Sequence, residues 1–354
     1  MAHKITAANG AAYKHALGKF INPAQLGGIE LASIDDGPGR GVRTAWVNTG
    51  SGLRYKVVID RGLDIADCFY GPHSLCFQTY GGISSGSPAR DLGGEWLKGF
   101  FGGMLTCCGP QHVGGPATID GVEYGVHGTH SNTPAELELI CQSEPADGVY
   151  SMSITGTVRT ARLFGPNVEL RRTIRSTLGE AALHIHDCFI NRGNTPARHC
   201  WLMHFNFGYP LLDEGSLIVY RGKVRPRKGC ESWFGRKDFK TVPAPIARHA
   251  GGGEDVAFVD VQSDRKGMCR VGLVNRALGL GVELSYLKSH FPLLANWHHF
   301  GANEYVMGLE PLSGKMENQG QELSIAPGEH REYSCSLRVL TAKQELDELI
   351  GRHG

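Results

Sequence analysis

Tyr333-Ser-Cys-Ser-Leu-Arg-Val339 alternates apolar with small or polar side chains at every step. Successive side chains on an extended strand point to opposite faces, so Tyr333, Cys335, Leu337 and Val339 share one face and bury it. The same period of two recurs in Tyr150, Met152 and Ile154, in Leu183 and Ile185, and in Glu136-Leu-Glu-Leu-Ile-Cys141. These stretches predict half-buried antiparallel strands. Turn signals separate them: Asp36-Gly37, Gly71-Pro72, Asp120-Gly121, Gly193-Asn194 and Pro327-Gly328. Short strands and turns in regular succession predict an all-β sandwich or barrel. Helical pattern is confined to the ends. Asn22-Pro23 suits the start of a short helix, and Thr341-Ala-Lys-Gln344 fits a capping box ahead of the apolar stripe Leu346, Leu349 and Ile350. This last helix, over 342–352, is expected on the outside of the sheets.

The 354 residues are 41% apolar, ample for a sizeable core. At ~150 residues per domain the length suggests two domains, but large all-β folds run longer as one unit. With no linker or internal repeat in view, the reading is one domain over 1–354 with its core at about 25–340. Gly251-Gly-Gly-Glu-Asp255 reads as a loop, not a boundary. Lys and Arg number 36 against 35 Asp and Glu, a net charge of +1. No basic stripe points to nucleic acid as a partner. No run reaches the ~18 apolar residues of a membrane span, and Met1-Ala-His-Lys lacks the apolar core of a signal peptide. The ten cysteines form no CxxC pair and sit mostly in apolar runs. Reduced core thiols in a cytoplasmic protein are expected.

Three segments combine strand pattern with unusual polar residues: Asp120-Gly-Val-Glu-Tyr-Gly-Val-His127-Gly128, Trp201-Leu-Met-His204-Phe-Asn206-Phe-Gly208 and Glu304-Tyr-Val-Met-Gly308-Leu-Glu310-Pro311. In the second, His204, Asn206 and Gly208 share one face, while Phe205 and Phe207 share the other. In the third, Gly308 and Glu310 share a face opposite Met307 and Leu309. A glycine beside a carboxylate is expected to leave room for a ligand against the backbone. Taken singly, each of these polar residues also suits a structural role.

Together the segments resemble the aldose 1-epimerase (galactose mutarotase) superfamily, and within it the DUF4432-type branch. The motifs are Asp60-Arg-Gly-Leu-Asp-Ile65, Gly102-Gly-Met-Leu-Thr-Cys-Cys-Gly109, His127-Gly128 followed by Pro134-Ala135, His204-Phe-Asn206-Phe-Gly208, and Gly308-Leu-Glu310-Pro311. The resemblance runs from about residue 25 to 340. It implies a galactose-mutarotase-like β-supersandwich with a few short peripheral helices and a sugar site in a cleft on one sheet. It implies Glu310 as catalytic base, His204 as general acid and His127 as a sugar-binding residue that steadies developing charge. Arg61 and Asn206 are candidates for further sugar contacts. Trp297 is a candidate platform for a sugar's C–H face. The implied activity is exchange of the α and β anomers of a reducing monosaccharide or derivative.

Mutarotation needs one base, one acid and no redox or covalent step, so no cofactor or metal is expected, and the partner is a small-molecule sugar. An ionised Glu310 and a protonated His204 are expected to favour each other's charge. On that basis the pH profile is a bell with Glu310 on the acid limb and His204 on the basic limb. Two departures from the superfamily bear on the substrate. The Asn-Arg pair expected ahead of the first histidine is replaced by Cys108-Gly-Pro-Gln-His112, and Thr129 follows His127-Gly128 where many branch members carry arginine. Arg61 is the candidate to replace the missing arginine. The competing readings are a non-catalytic carbohydrate-binding domain and a metal-dependent sugar isomerase or lyase. The second would draw on His127 and His130, His184 and His186, or His298 and His299.

Overall fold

A computed structural model describes residues 18–89, 91–314 and 323–351; Met1-Ala-His-Lys lies outside them. Two large antiparallel sheets, one of eleven strands and one of eight, are accompanied by two small two-stranded sheets. The order along the eight-stranded sheet runs from Leu217–Val219 at one edge to Glu136–Cys141 at the other, with His330–Leu340 and Ala182–Asn191 adjacent near its middle. Tyr333, Cys335 and Leu337 turn inward there, as their alternation requires. Ile154, Leu170, Ile185 and Leu284 from this sheet meet Val57, Ile65, Leu105, Phe205 and Leu309 from the larger one in a single apolar core. Two facing sheets with interdigitated inner faces make a sandwich.

Asp120 and Gly121 both have positive φ, at 51° and 76°, in the tight turn joining strands Ala117–Ile119 and Val122–Tyr124. Two left-handed central residues are what a type I′ hairpin turn requires, and Asp-Gly tolerates them best. Asn22 caps the 3-10 turn Pro23–Gln25, its side chain accepting a hydrogen bond from the Ala24 amide. The last helix spans Lys343–Gly351 and buries Leu346 and Leu349 against Val219, Val274 and Leu340. The capping-box reading of Thr341 and Gln344 needs correction: the helix starts at Lys343 and the Ala342 carbonyl accepts from the Leu346 amide, so Ala342 and not Thr341 holds the N-cap position. Glu136–Cys141 also departs from expectation. It is an edge strand with Leu139 half exposed, because alternation marks a strand without saying where in the sheet it lies. Its partner strand breaks register between Thr155 and Gly156, a bulge of the kind that blunts sheet edges.

The two sheets are also tied by a buried ionic bridge. Arg172 of the smaller sheet donates twice to Asp187, at 2.7 and 2.8 Å, and reaches Asp64 of the larger sheet at 3.1 Å. Trp201 donates its indole N–H to Asp187 at 3.1 Å. Burial pushes the Asp64 carboxyl up to about 7, against the pull of Arg172. The ten cysteines are free thiols, seven of them buried. Among the described residues no helix is long and apolar enough to cross a membrane.

Candidate active site

The site lies on the face of the eleven-stranded sheet turned away from the core. Four neighbouring strands build it, Leu105–Cys108, Leu202–Phe207, Glu304–Leu312 and Leu293–Gly301, flanked by Asp255–Val261. Alternation sorts their side chains. Met203, Phe205, Phe207, Met307 and Leu309 enter the core, which leaves His204 and Glu310 on the outer face. The pairs Leu202 with Leu312 and Phe205 with Leu309 bracket these two residues and bring them together. Trp297 pairs with Gly308 and Ala295 with Glu310, so Trp297 falls on the same face. His127, His204, Glu310 and Trp297 all line one cavity of ≈ 740 Å³.

His204 Nε2 stands 3.5 Å from Glu310 Oε1, and both side chains are almost wholly buried. Burial pushes the Glu310 carboxyl well above its usual range, and the neighbouring Glu254 charge adds to this. Burial pushes His204 down to about 3, helped by His127, while Asn206 pulls weakly the other way. The expected mutual stabilisation of two charges therefore needs correction. At this burial desolvation outweighs attraction, and the neutral pair of carboxylic acid and imidazole is favoured. The neutral and ionic pairs hold the same number of protons, so the balance between them does not depend on pH. Among the described residues, Glu310 Oε1 and His204 Nδ1 are buried polar atoms with no hydrogen-bond partner.

Gly308 has a different role from the one expected of it. A Cβ at this position would collide with Glu310 Oε1. The space above the glycine is filled by the carboxylate of Glu310 itself, folded back along its own strand.

His127 owes its placement to a tight turn. Its φ is +60° and that of Gly128 is +70°, and a Cβ on Gly128 would run into the Gly109 carbonyl at 2.7 Å. Hence the His-Gly pair. The His127 N–H donates to Gly114 O at 3.0 Å, and its Nδ1 accepts from the Gly114 N–H at 3.2 Å. A nitrogen that accepts from an amide carries no proton, so the proton of the neutral ring sits on Nε2. Burial, with help from His112, lowers the His127 pKa to about 4, so the ring is a neutral donor at pH 7. The Trp96 ring packs on it with centroids 4.7 Å apart.

Arg61 and Asn206 do not line the cavity. Arg61 is fully buried, and its guanidinium donates to the carbonyls of Ser131, Ser84 and Gly99. The Gly99 carbonyl ends the short helix Glu95–Gly99, whose Trp96 forms one wall of the cavity and donates to Ser131 Oγ at 2.9 Å. Arg61 thus fastens that wall from behind. Asn206 is also buried and donates to the carbonyls of Gly102, Gly103 and His204. Its place is beneath the pocket floor, bracing the strand that carries His204.

Residues that the sequence reading missed take the vacated places. Glu254 lines the cavity, accepts the Trp297 indole N–H at 2.7 Å and pairs with Arg227 at 2.7 Å. Lys98, from the Glu95–Gly99 helix, lines the cavity as well. Glu254 directly follows three glycines, a context with no strand period, so only the preference of functional groups for loops pointed to it.

The histidines considered as metal ligands all hydrogen-bond protein groups, His127 with the Gly114 amide and His130 with the Gly62 carbonyl among them. His184 and His186 each bond a serine of the neighbouring strand, Ser336 and Ser334. His298 faces Trp233 and Asn296, whereas His299 faces the cavity. Among the described residues, Asp64, Cys107 and His130 bring three potential ligand atoms together. The Arg172 guanidinium donates to both Asp64 and Cys107 there, so the position a cation would take already has one.

The two-sheet antiparallel sandwich is a galactose-mutarotase-like fold. Residues 39–339 match DUF4432, a domain of unknown function, and the chain belongs to that family. The fold is shared with a candidate aldose 1-epimerase from Klebsiella pneumoniae, with TM-score 0.84, 22% identity, and 94% of this chain and 90% of that one covered. It is shared with a galactose mutarotase-like protein from Clostridium acetobutylicum, with TM-score 0.61, 10% identity and coverage of 89% and 98%. It is also shared with galactose 1-epimerase from Lactobacillus acidophilus, with TM-score 0.56, 10% identity and coverage of 88% and 98%. No curated protein matches the chain.

Proposed function

We propose that this protein is a mutarotase that interconverts the α and β anomers of a reducing sugar. The observation that carries this reading is the buried His204–Glu310 pair, 3.5 Å apart in a cavity that His127 shares. A binding module has no use for a matched acid and base taken out of water, whereas ring opening needs both. In the ionic form of the pair, Glu310 takes the proton from the anomeric hydroxyl as the bond from C1 to the ring oxygen breaks. His204 gives its proton to that oxygen, and C1 becomes a carbonyl. The pair is now neutral, the distribution that burial favours. Rotation about C1–C2 and return of both protons closes the ring on the other face. His127 Nε2–H is the donor for charge gathering on the C1 oxygen, and Trp297 offers a ring face to the sugar's C–H groups. Each proton transfer is worth roughly 10²–10⁴ in rate.

The test is polarimetric or NMR equilibration of freshly dissolved α-anomers from a broad panel of aldoses, each against a buffer blank. Acceleration of at least one sugar is expected. If none equilibrates faster than its blank, the catalytic reading fails.

A further inference from the structure

We infer that the cavity takes the reducing end of an oligosaccharide, with the second, uncharged sugar ring seated at the mouth on Tyr80 and Leu97; this rests on the mutarotase reading. The size of the cavity is the first ground. Even at the ~30 Å³ that one molecule occupies in liquid water, the non-hydrogen atoms of a hexose fill about 360 Å³. The cavity holds ≈ 740 Å³, room for a second ring.

The wall at the mouth is the second ground. Tyr80 is fully exposed and Leu97 is 63% exposed, yet both line the cavity. The chain beside Tyr80 is tied to the helix that carries Leu97: Thr79 Oγ1 donates to the Phe100 carbonyl at 2.9 Å. An exposed aromatic ring and an exposed leucine on the lining of one cavity offer apolar surface to the C–H side of a sugar.

Charge is the third ground and selects a neutral occupant. Among the described residues the lysine and arginine lining the cavity are Lys98 and Arg227. Each already has a carboxylate at 2.7 Å, Glu95 and Glu254 respectively. A phosphate or sulfonate would have to share these cations with the carboxylates already beside them, and would meet Glu254 and Glu304 on the same lining. A hydroxyl-bearing ring makes no such demand.

Because the anomeric carbon must reach Glu310 and His204, the second ring must be joined through a hydroxyl away from C1 of the first. The experiment compares kcat/KM for mutarotation of glucose with that of maltose, cellobiose and isomaltose, and repeats it for Tyr80→Ala and Leu97→Ala. At least one disaccharide should exceed glucose by several-fold. Each substitution should lower the ratio of disaccharide to monosaccharide about two- to tenfold, the worth of one stacking contact. Disaccharides at or below glucose, substitutions that depress both classes equally, or a preference for glucose 6-phosphate over every disaccharide would each overturn the inference while leaving the mutarotase reading standing. Absence of acceleration in both classes would overturn this inference, and the mutarotase reading would fall with it only if the broad aldose panel also showed none.

Discussion

His204 Nε2 and Glu310 Oε1 face each other at 3.5 Å with their side chains almost wholly out of water. Such a pair titrates as a unit. Burial lowers His204 to about 3 and raises Glu310 well above its usual range, so one exchangeable proton is held across a wide span of pH. The order of the limbs is thereby the reverse of that for isolated side chains. A second proton enters only at the low pH where His204 titrates, and the last leaves only above the ordinary carboxylate range. The kcat/KM profile should have its acid limb well below pH 4.5 and its basic limb above the ordinary carboxylate range. A narrow bell with limbs near the free values of glutamate, about 4.3, and histidine, about 6.5, would show two independently solvated groups instead.

Glu310→Gln keeps the shape and one acceptor oxygen but cannot take up the proton. The rate should fall by about 10²–10⁴. Sugar affinity, measured by saturation-transfer NMR or calorimetry, should change far less. Full activity in this variant, on a sugar that the wild type accelerates, would remove Glu310 from the chemistry.

Gly308→Ala tests the geometry behind that carboxylate. A methyl group there collides with Glu310 Oε1, while the backbone needs no left-handed conformation that would confuse the result. The carboxylate must swing off its strand. A displacement of about 1 Å can cost on the order of 10²-fold in rate. The accompanying loss of stability should stay within the ~1–3 kcal/mol of an overpacked site, read from chemical denaturation. An alanine variant with wild-type kcat would mean that the seat of Glu310 on Gly308 has no bearing on catalysis.

The fold and the floor of the site were legible for one reason: alternation on a strand assigns faces without knowledge of neighbours. It put Phe205 and Phe207 inward and His204 outward, and separated Leu309 from Glu310. It failed where the answer lay across space. Arg61 has the chemistry of a ligand, yet it serves three carbonyls behind the wall, because its partners at Ser84, Gly99 and Ser131 are set by loops without period. Asn206 shares the face of His204, but the Gly102 and Gly103 carbonyls close over it. Glu254, Arg227 and Lys98 come from a loop, a strand end and a five-residue helix, none of which carries a pattern that points at the cavity. The charge balance of His204 and Glu310 was also out of reach, since it depends on burial and not on residue type.

His127 combines a chemical and a conformational demand that two substitutions can separate. Its φ of +60° is left-handed, a region asparagine tolerates far better than alanine. Its Nδ1 accepts the Gly114 N–H, which leaves Nε2–H as the donor. His127→Ala removes the donor and strains the turn together. His127→Asn keeps the turn and a side-chain acceptor for Gly114, but its amide is too short to place a donor where Nε2 stands. If His127 steadies charge on the C1 oxygen, both variants should lose about 10²–10³ in kcat, the usual cost of one such donor. Only alanine should also lower the thermal midpoint. If asparagine restores kcat along with stability, the turn is what matters, and His127 is a positioning residue for the wall shared with Trp96.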